Sequence, residues 1–106
     1  MIFMKKYCFD IDGTICTNTE GSYELALPYL DRIEFINSLV SKGHVVYFQT
    51  ARGSETGIDW SELTHSQLTS WGIHDPKIYF NKPTADIYVD DKGINSEEFD
   101  WSRSIN

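Results

Sequence analysis

A chain of 106 residues has room for one domain around one core and little beyond it. Its 16 acidic side chains against 9 basic ones leave a formal net charge of -7. That balance excludes tracking along the phosphate backbone of a long nucleic acid and opposes docking on an anionic membrane. No run approaches the ~20 apolar residues of a membrane helix. The N-terminal stretch Met1 to Lys6 has no apolar core of signal-peptide length, so the cytoplasm is the expected compartment.

In chain order, strands and helices alternate. Lys6 to Ile11 is apolar-rich and reads as a first strand. Asp12 to Leu27 holds Gly13, Gly21 and several Thr and Asn, and reads as a turn followed by a loop or small hairpin. Pro28 suits the first turn of a helix, in which Leu30, Ile33, Ile36, Leu39 and Val40 recur at helical spacing up to Gly43. His44 to Thr50 is a continuous apolar run, as in a strand covered on both faces. Ala51 to Gly57 is a loop. Trp60, Leu63, Thr64, Gln67, Leu68 and Trp71 mark a second amphipathic helix ended by Gly72. Lys77 to Phe80 is a short third strand broken by Lys82-Pro83, and Ala85 to Val89 a fourth. In the polar tail, Phe99 and Trp101 are expected to pin the chain end to the body. The pattern predicts an α/β fold with a mainly parallel sheet, in one domain.

In open sheets of this kind, ligands bind beyond the carboxyl ends of the strands. Those ends carry Asp10 and Asp12, then Thr50 and Arg52, then Lys82, then Asp90 and Asp91. Four clustered carboxylates repel one another and resist ionising together. The economical counter-charge is a divalent metal that prefers hard oxygen ligands, Mg²⁺. A carboxylate can also attack a phosphoryl group as a nucleophile. A second acid two positions along shares its face and can protonate the leaving group, then activate water. Asp10 and Asp12 have that spacing. The backbone at Gly13 can approach the metal, Thr14 can add a hydroxyl, Thr50 can bond a phosphoryl oxygen, and Lys82 can neutralise developing charge.

Asp10-Ile11-Asp12-Gly13-Thr14, Thr50-Ala51-Arg52, Lys82-Pro83 and Asp90-Asp91 together resemble the four ordered motifs of the haloacid dehalogenase superfamily, phosphatase branch. The resemblance covers nearly the whole chain. It implies a Rossmann-like three-layer α/β/α fold and Mg²⁺-dependent hydrolysis of a phosphomonoester through an aspartyl-phosphate. By that resemblance Asp10 is the nucleophile and Asp12 the general acid/base. Gly13, Thr14, Thr50, Ala51, Arg52 and Lys82 are the substrate-binding candidates. The metal would lie between the Asp10 carboxylate, the Asp12 backbone carbonyl and the Asp90-Asp91 pair, with Asp90 the favoured direct ligand. The gaps Cys16 to Leu27 and Gly53 to Phe80 are too short for the family's cap domain, so the chain resembles a capless member. An uncapped site implies a large substrate, or a homo-oligomer in which a second subunit completes the site. Thr50-Ala51-Arg52-Gly53 and Lys82-Pro83-Thr84-Ala85-Asp86 also resemble small phosphatases linked to capsule or surface-polysaccharide synthesis, which implies a phosphosugar or glycan-pathway substrate.

Competing readings attach to the same residues. The substrate could instead be a nucleotide or a polynucleotide end, or the chain could bind a phosphorylated ligand without hydrolysing it. Retention of Asp12 favours an enzyme. Arg52 reads first as the structural partner of an acid and second as a substrate contact, and Asp86 as a brace for Lys82 or a strand cap. His44, His65 and His74 lack metal spacing and read as structural or solvated. Cys8 reads as a small buried hydrophobe and Cys16 as a loop residue. Their spacing matches no metal or redox motif, and no disulfide is expected. Tyr23 and Tyr29 read first as packing groups and second as substrate contacts from the loop after the first motif, while Thr56, Trp60 and Gln67 are candidates for shaping specificity.

Overall fold

The computed structural model describes residues 4–80, 87–90, 94–95 and 101. Its elements are β1 (Lys6–Asp10), α1 (Leu30–Ser41), β2 (Val45–Gln49), α2 (Ser61–Ser70), β3 (Ile78–Tyr79), β4 (Ile87–Asp90) and β5 (Ile94–Asn95). The strands form one sheet in the order β3-β2-β1-β4-β5, and every pairing is parallel. This is an α/β fold. β1 is central because its apolar run suits burial on both faces. Phe9 sits level with Phe48 on β2 and Val89 on β4, and all three are buried.

The strand ends sharply because the backbone turns. The amides of Thr14 and Ile15 both donate to the Ile11 carbonyl, at 3.1 and 3.0 Å, winding one helical turn. Gly13 lies in that turn at φ +82°, where a side chain would be strained. The chain then goes out and comes back. The Thr17 amide donates to the Leu27 carbonyl at 2.9 Å, and the Tyr29 amide to the Ile15 carbonyl at 2.9 Å. Between them lies a single 3-10 turn at Tyr23–Leu25.

α1 buries Ile33, Phe35, Ile36 and Leu39. Pro28 stands just ahead of the helix rather than in its first turn, bridging to Cys16. Leu30 and Val40 fit the helical spacing but are 68% and 54% exposed. Leu30 occupies the opening turn, ahead of the buried stripe. Val40 is rotated about 100° from the core-facing Leu39. Phe35 takes their place in the core, packed edge-on against Trp101 with centroids 5.6 Å apart. Trp101 also stacks toward Phe9 at 5.5 Å and sits under the Arg32 guanidinium at 4.9 Å. α2 turns Thr64, Gln67 and Leu68 inward, a stripe that is two-thirds polar. Lys82-Pro83, Ala85, Asp86, Asp91 and Phe99 lie outside the described residues. Among the described residues no helix is long and apolar enough to cross a membrane.

Phe9 is the hub of this packing, enclosed by Tyr7, Phe48 and Trp101. Phe9→Ala is expected to lower unfolding free energy by about 3–5 kcal/mol in a urea titration. A loss under about 1 kcal/mol would contradict the packing described.

Candidate active site

β1 feeds α1 and then β2 on one side of it, while β4 occupies the other side. A parallel sheet opens a crevice at such a switch point, beyond the carboxyl ends of the strands. Asp10 is the last residue of β1 and Asp90 the last of β4. Their strands pair Phe9 with Val89, so the next step sets Asp10 level with Asp90 on adjoining strands, about 4.8 Å apart by sheet spacing. Asp10 and Asp12 both line a cavity of about 490 Å³. Tyr23 from the out-and-back loop and Trp60 from the loop before α2 form part of its wall, with ring centroids 5.0 Å apart and nearly perpendicular. Thr50, just past β2, lines an adjoining cavity of about 220 Å³ and is buried. Ala51, Arg52 and Gly53 border both.

Arg52 organises the site. None of its side chain is exposed, against 18% for Asp12. Its Nε donates to Asp12 Oδ2 at 2.9 Å and its Nη2 to Asp12 Oδ1 at 2.8 Å, a two-point grip on one carboxylate. Its Nη1 donates to Thr64 Oγ1 at 3.1 Å and Gln67 Oε1 at 2.6 Å. The guanidinium also lies 4.6 Å from the Tyr23 ring centre. Its charge is thus directed at protein partners, as the structural reading of this residue expects. The fork geometry explains why an arginine stands here: the single nitrogen of a lysine could not make two parallel bonds to Asp12 and also reach Thr64 and Gln67.

The other candidates fall around this centre. Thr14 is buried, and its carbonyl accepts Arg32 Nη1 at 2.8 Å. Neither Thr14 nor Gly13 borders the larger cavity. The Thr50 hydroxyl accepts the Arg52 amide at 3.0 Å, which shapes the turn out of β2. Gly53 (φ +84°) is required there, since an added Cβ would collide with the Ile58 carbonyl oxygen. Lys82 and Asp91 lie outside the described residues, and Asp90 is placed by its strand position. Among the described residues no three His, Cys, Asp or Glu side chains converge as a metal cluster. Thr64, on Arg52, and Asn18, Glu20 and Glu55, in the wall of the larger cavity, are site residues that sequence reasoning did not single out. For Thr64, the only signal is a buried hydroxyl on a helix face where a hydrocarbon is expected.

The fold as a whole is similar to the crystal structure of a target protein from Vibrio cholerae, with a TM-score of 0.71 and 26% identity over 95% of this chain and 90% of that chain. No family model and no curated protein matches the chain.

Cys8 and Cys16 are both buried free thiols. Cys16 donates weakly to the Ile11 carbonyl at 3.5 Å and to Asp12 Oδ1 at 3.7 Å. Burial, and then the negative charge of Asp12, push its pKa from 9.0 up to about 12. The protonated thiol is the form the fold accepts. An acid whose pKa is raised by folding contributes stability that is whole below its ordinary value and is lost as pH climbs toward the raised one. Between pH 9.0 and about 12, the wild type should therefore lose stability faster than Cys16→Ser, whose hydroxyl does not titrate there. Parallel slopes in urea titrations across that window would contradict this.

Proposed function

We propose that this chain is a Mg²⁺-dependent phosphomonoester hydrolase of the haloacid dehalogenase type, three-layered and Rossmann-like, with no cap domain. One observation carries the reading. Asp10 and Asp90 stand level at adjoining strand ends on a switch point, and Asp12 borders the same cavity as Asp10. The donor chemistry fits Mg²⁺, which takes one or two carboxylates and fills its remaining positions with water and substrate phosphate. Asp10 and Asp90 would supply those carboxylates, with Asp91 and the Asp12 carbonyl as further oxygens. The Asp12 carboxylate is held by Arg52, which favours its carbonyl over its side chain as the metal contact. When bound, the metal would draw charge from the phosphoryl oxygens and let neighbouring carboxylates remain ionised.

The steps then belong to this chain's own groups. A carboxylate oxygen of Asp10 attacks phosphorus, and the bond from phosphorus to the leaving oxygen breaks. Asp12 gives that oxygen a proton. Asp12 next takes a proton from water as the water attacks the aspartyl-phosphate, which releases phosphate and restores Asp10. A carboxylate offers about four lone-pair sites, and the guanidinium uses two, so Asp12 retains capacity to carry the proton. Thr50 and Lys82 are the groups assigned to the phosphoryl oxygens. A cavity of about 490 Å³ with Tyr23 and Trp60 in its wall suits one small ring-bearing substrate, such as a phosphosugar or glycan-pathway intermediate.

The wild type should hydrolyse phosphomonoesters in the presence of Mg²⁺. Asp10→Asn should lose about a thousandfold or more in kcat while keeping the wild-type circular dichroism spectrum. Wild-type rates in that variant would overturn the assignment of the nucleophile. Excess chelator should silence the enzyme, and Mg²⁺ should restore it. Undiminished activity in chelator would remove the metal from the account.

A further inference from the structure

We infer that Gln67, aided by Thr64, is a positioning residue that sets Asp12 and the Tyr23 wall of the cavity in one fixed geometry. The catalytic part of this inference rests on the reading of Asp12 given above. The two ends of the Gln67 amide reach two different parts of the site. Its Oε1 accepts Arg52 Nη1 at 2.6 Å, and its Nε2 donates to the Tyr23 carbonyl at 2.6 Å. The ends cannot be exchanged: a flipped amide would face its NH₂ to a guanidinium and its oxygen to a carbonyl. Through Arg52, the first end fixes the plane of the Asp12 carboxylate. The second end fastens the loop that carries Tyr23, whose ring lies over the same guanidinium and against Trp60.

Thr64 completes the arrangement from one turn earlier on α2. It is fully buried, and its hydroxyl accepts the same Nη1. Residues 64 and 67 are neighbours on one helix face, so both reach a single guanidinium from one rigid element. A plain structural strut at this place would need only hydrocarbon. A buried polar network of this kind favours one geometry when every member is satisfied and becomes costly when one is lost. Thr64 and Gln67 together satisfy the guanidinium nitrogen that Asp12 does not reach.

Two variants separate the two ends. Gln67→Met keeps the side-chain length and loses both bonds. Its kcat should fall roughly tenfold to a hundredfold, because small misplacement of a reacting group is costly. Its KM should rise several-fold as the Tyr23 wall loosens. Thr64→Val loosens only Arg52, so kcat should fall with KM unchanged, and Thr64→Ser should recover kcat. Unchanged kcat in both Gln67→Met and Thr64→Val would overturn the inference, as would Thr64→Ser remaining as slow as Thr64→Val. A readout apart from turnover is hydrogen exchange at Arg52 Nε–H, followed in ¹⁵N-labelled protein. Exchange should be slow in the wild type and at least tenfold faster in Gln67→Met. Equal exchange rates would overturn the inference even if the protein is a phosphatase. If Gln67→Met does not fold, the Thr64 pair decides by the same exchange measurement. Should the wild type hydrolyse no phosphomonoester, the functional proposal fails, and the exchange result still judges the positioning.

Discussion

A guanidinium with none of its surface in water needs an anion beside it, and Arg52 meets that need with Asp12. Removing Asp12 would strand a buried charge, an error that folds tolerate poorly. The rest of the site follows from this pair. Asp12 is held at the start of the turn out of β1, because both its oxygens are gripped. α2 lies where it does with a polar face inward, because Thr64 and Gln67 must reach the same cation. The loop from residue 15 to 29 is tied back by the Tyr23 carbonyl and stacked over the guanidinium. The turn out of β1 with the loop that follows it, and α2 from far along the chain, thereby close around one charge.

The sheet supplies what this pair cannot. A parallel register is rigid, and one step beyond the Phe9 and Val89 pairing it brings Asp10 beside Asp90. The core beneath is wholly apolar at Phe9, Phe48 and Val89, so β1 is anchored one residue below Asp10. The polar layer and the apolar layer are thus adjacent along the same strand. A few residues separate the part of β1 that holds the fold together from the part that faces the cavity.

Much of this was legible in the sequence, for physical reasons. The apolar runs of β1 and β2 have few polar interruptions, and α1 keeps its spacing at Ile33, Ile36 and Leu39. Even so, β2 buries only Val46 and Phe48 and leaves its other face partly exposed rather than covered on both sides. The acids at the strand ends stand out because a carboxylate directly after a buried run is costly without a partner. Other features carried no such signal. Ile94–Asn95 is too short to show a period, and only three residues separate it from β4, where a parallel neighbour ordinarily follows a long crossover. The core role of Phe35 depends on Trp101, far away in the chain. The inward stripe of α2 looked like an amphipathic face, and its meaning appears only when Arg52 is seen beneath it. Gln67 could be named as a candidate for shaping the site, but its two-ended bonding is a matter of three dimensions.

In the proposed mechanism Asp10 takes the phosphoryl group. Borohydride added during turnover of a phosphomonoester reduces an aspartyl-phosphate to homoserine, which mass spectrometry can place by residue. Homoserine is expected at position 10 alone, appearing only with substrate and Mg²⁺ present. Continued turnover with no reduction at Asp10, or reduction at another carboxylate in its place, would contradict it.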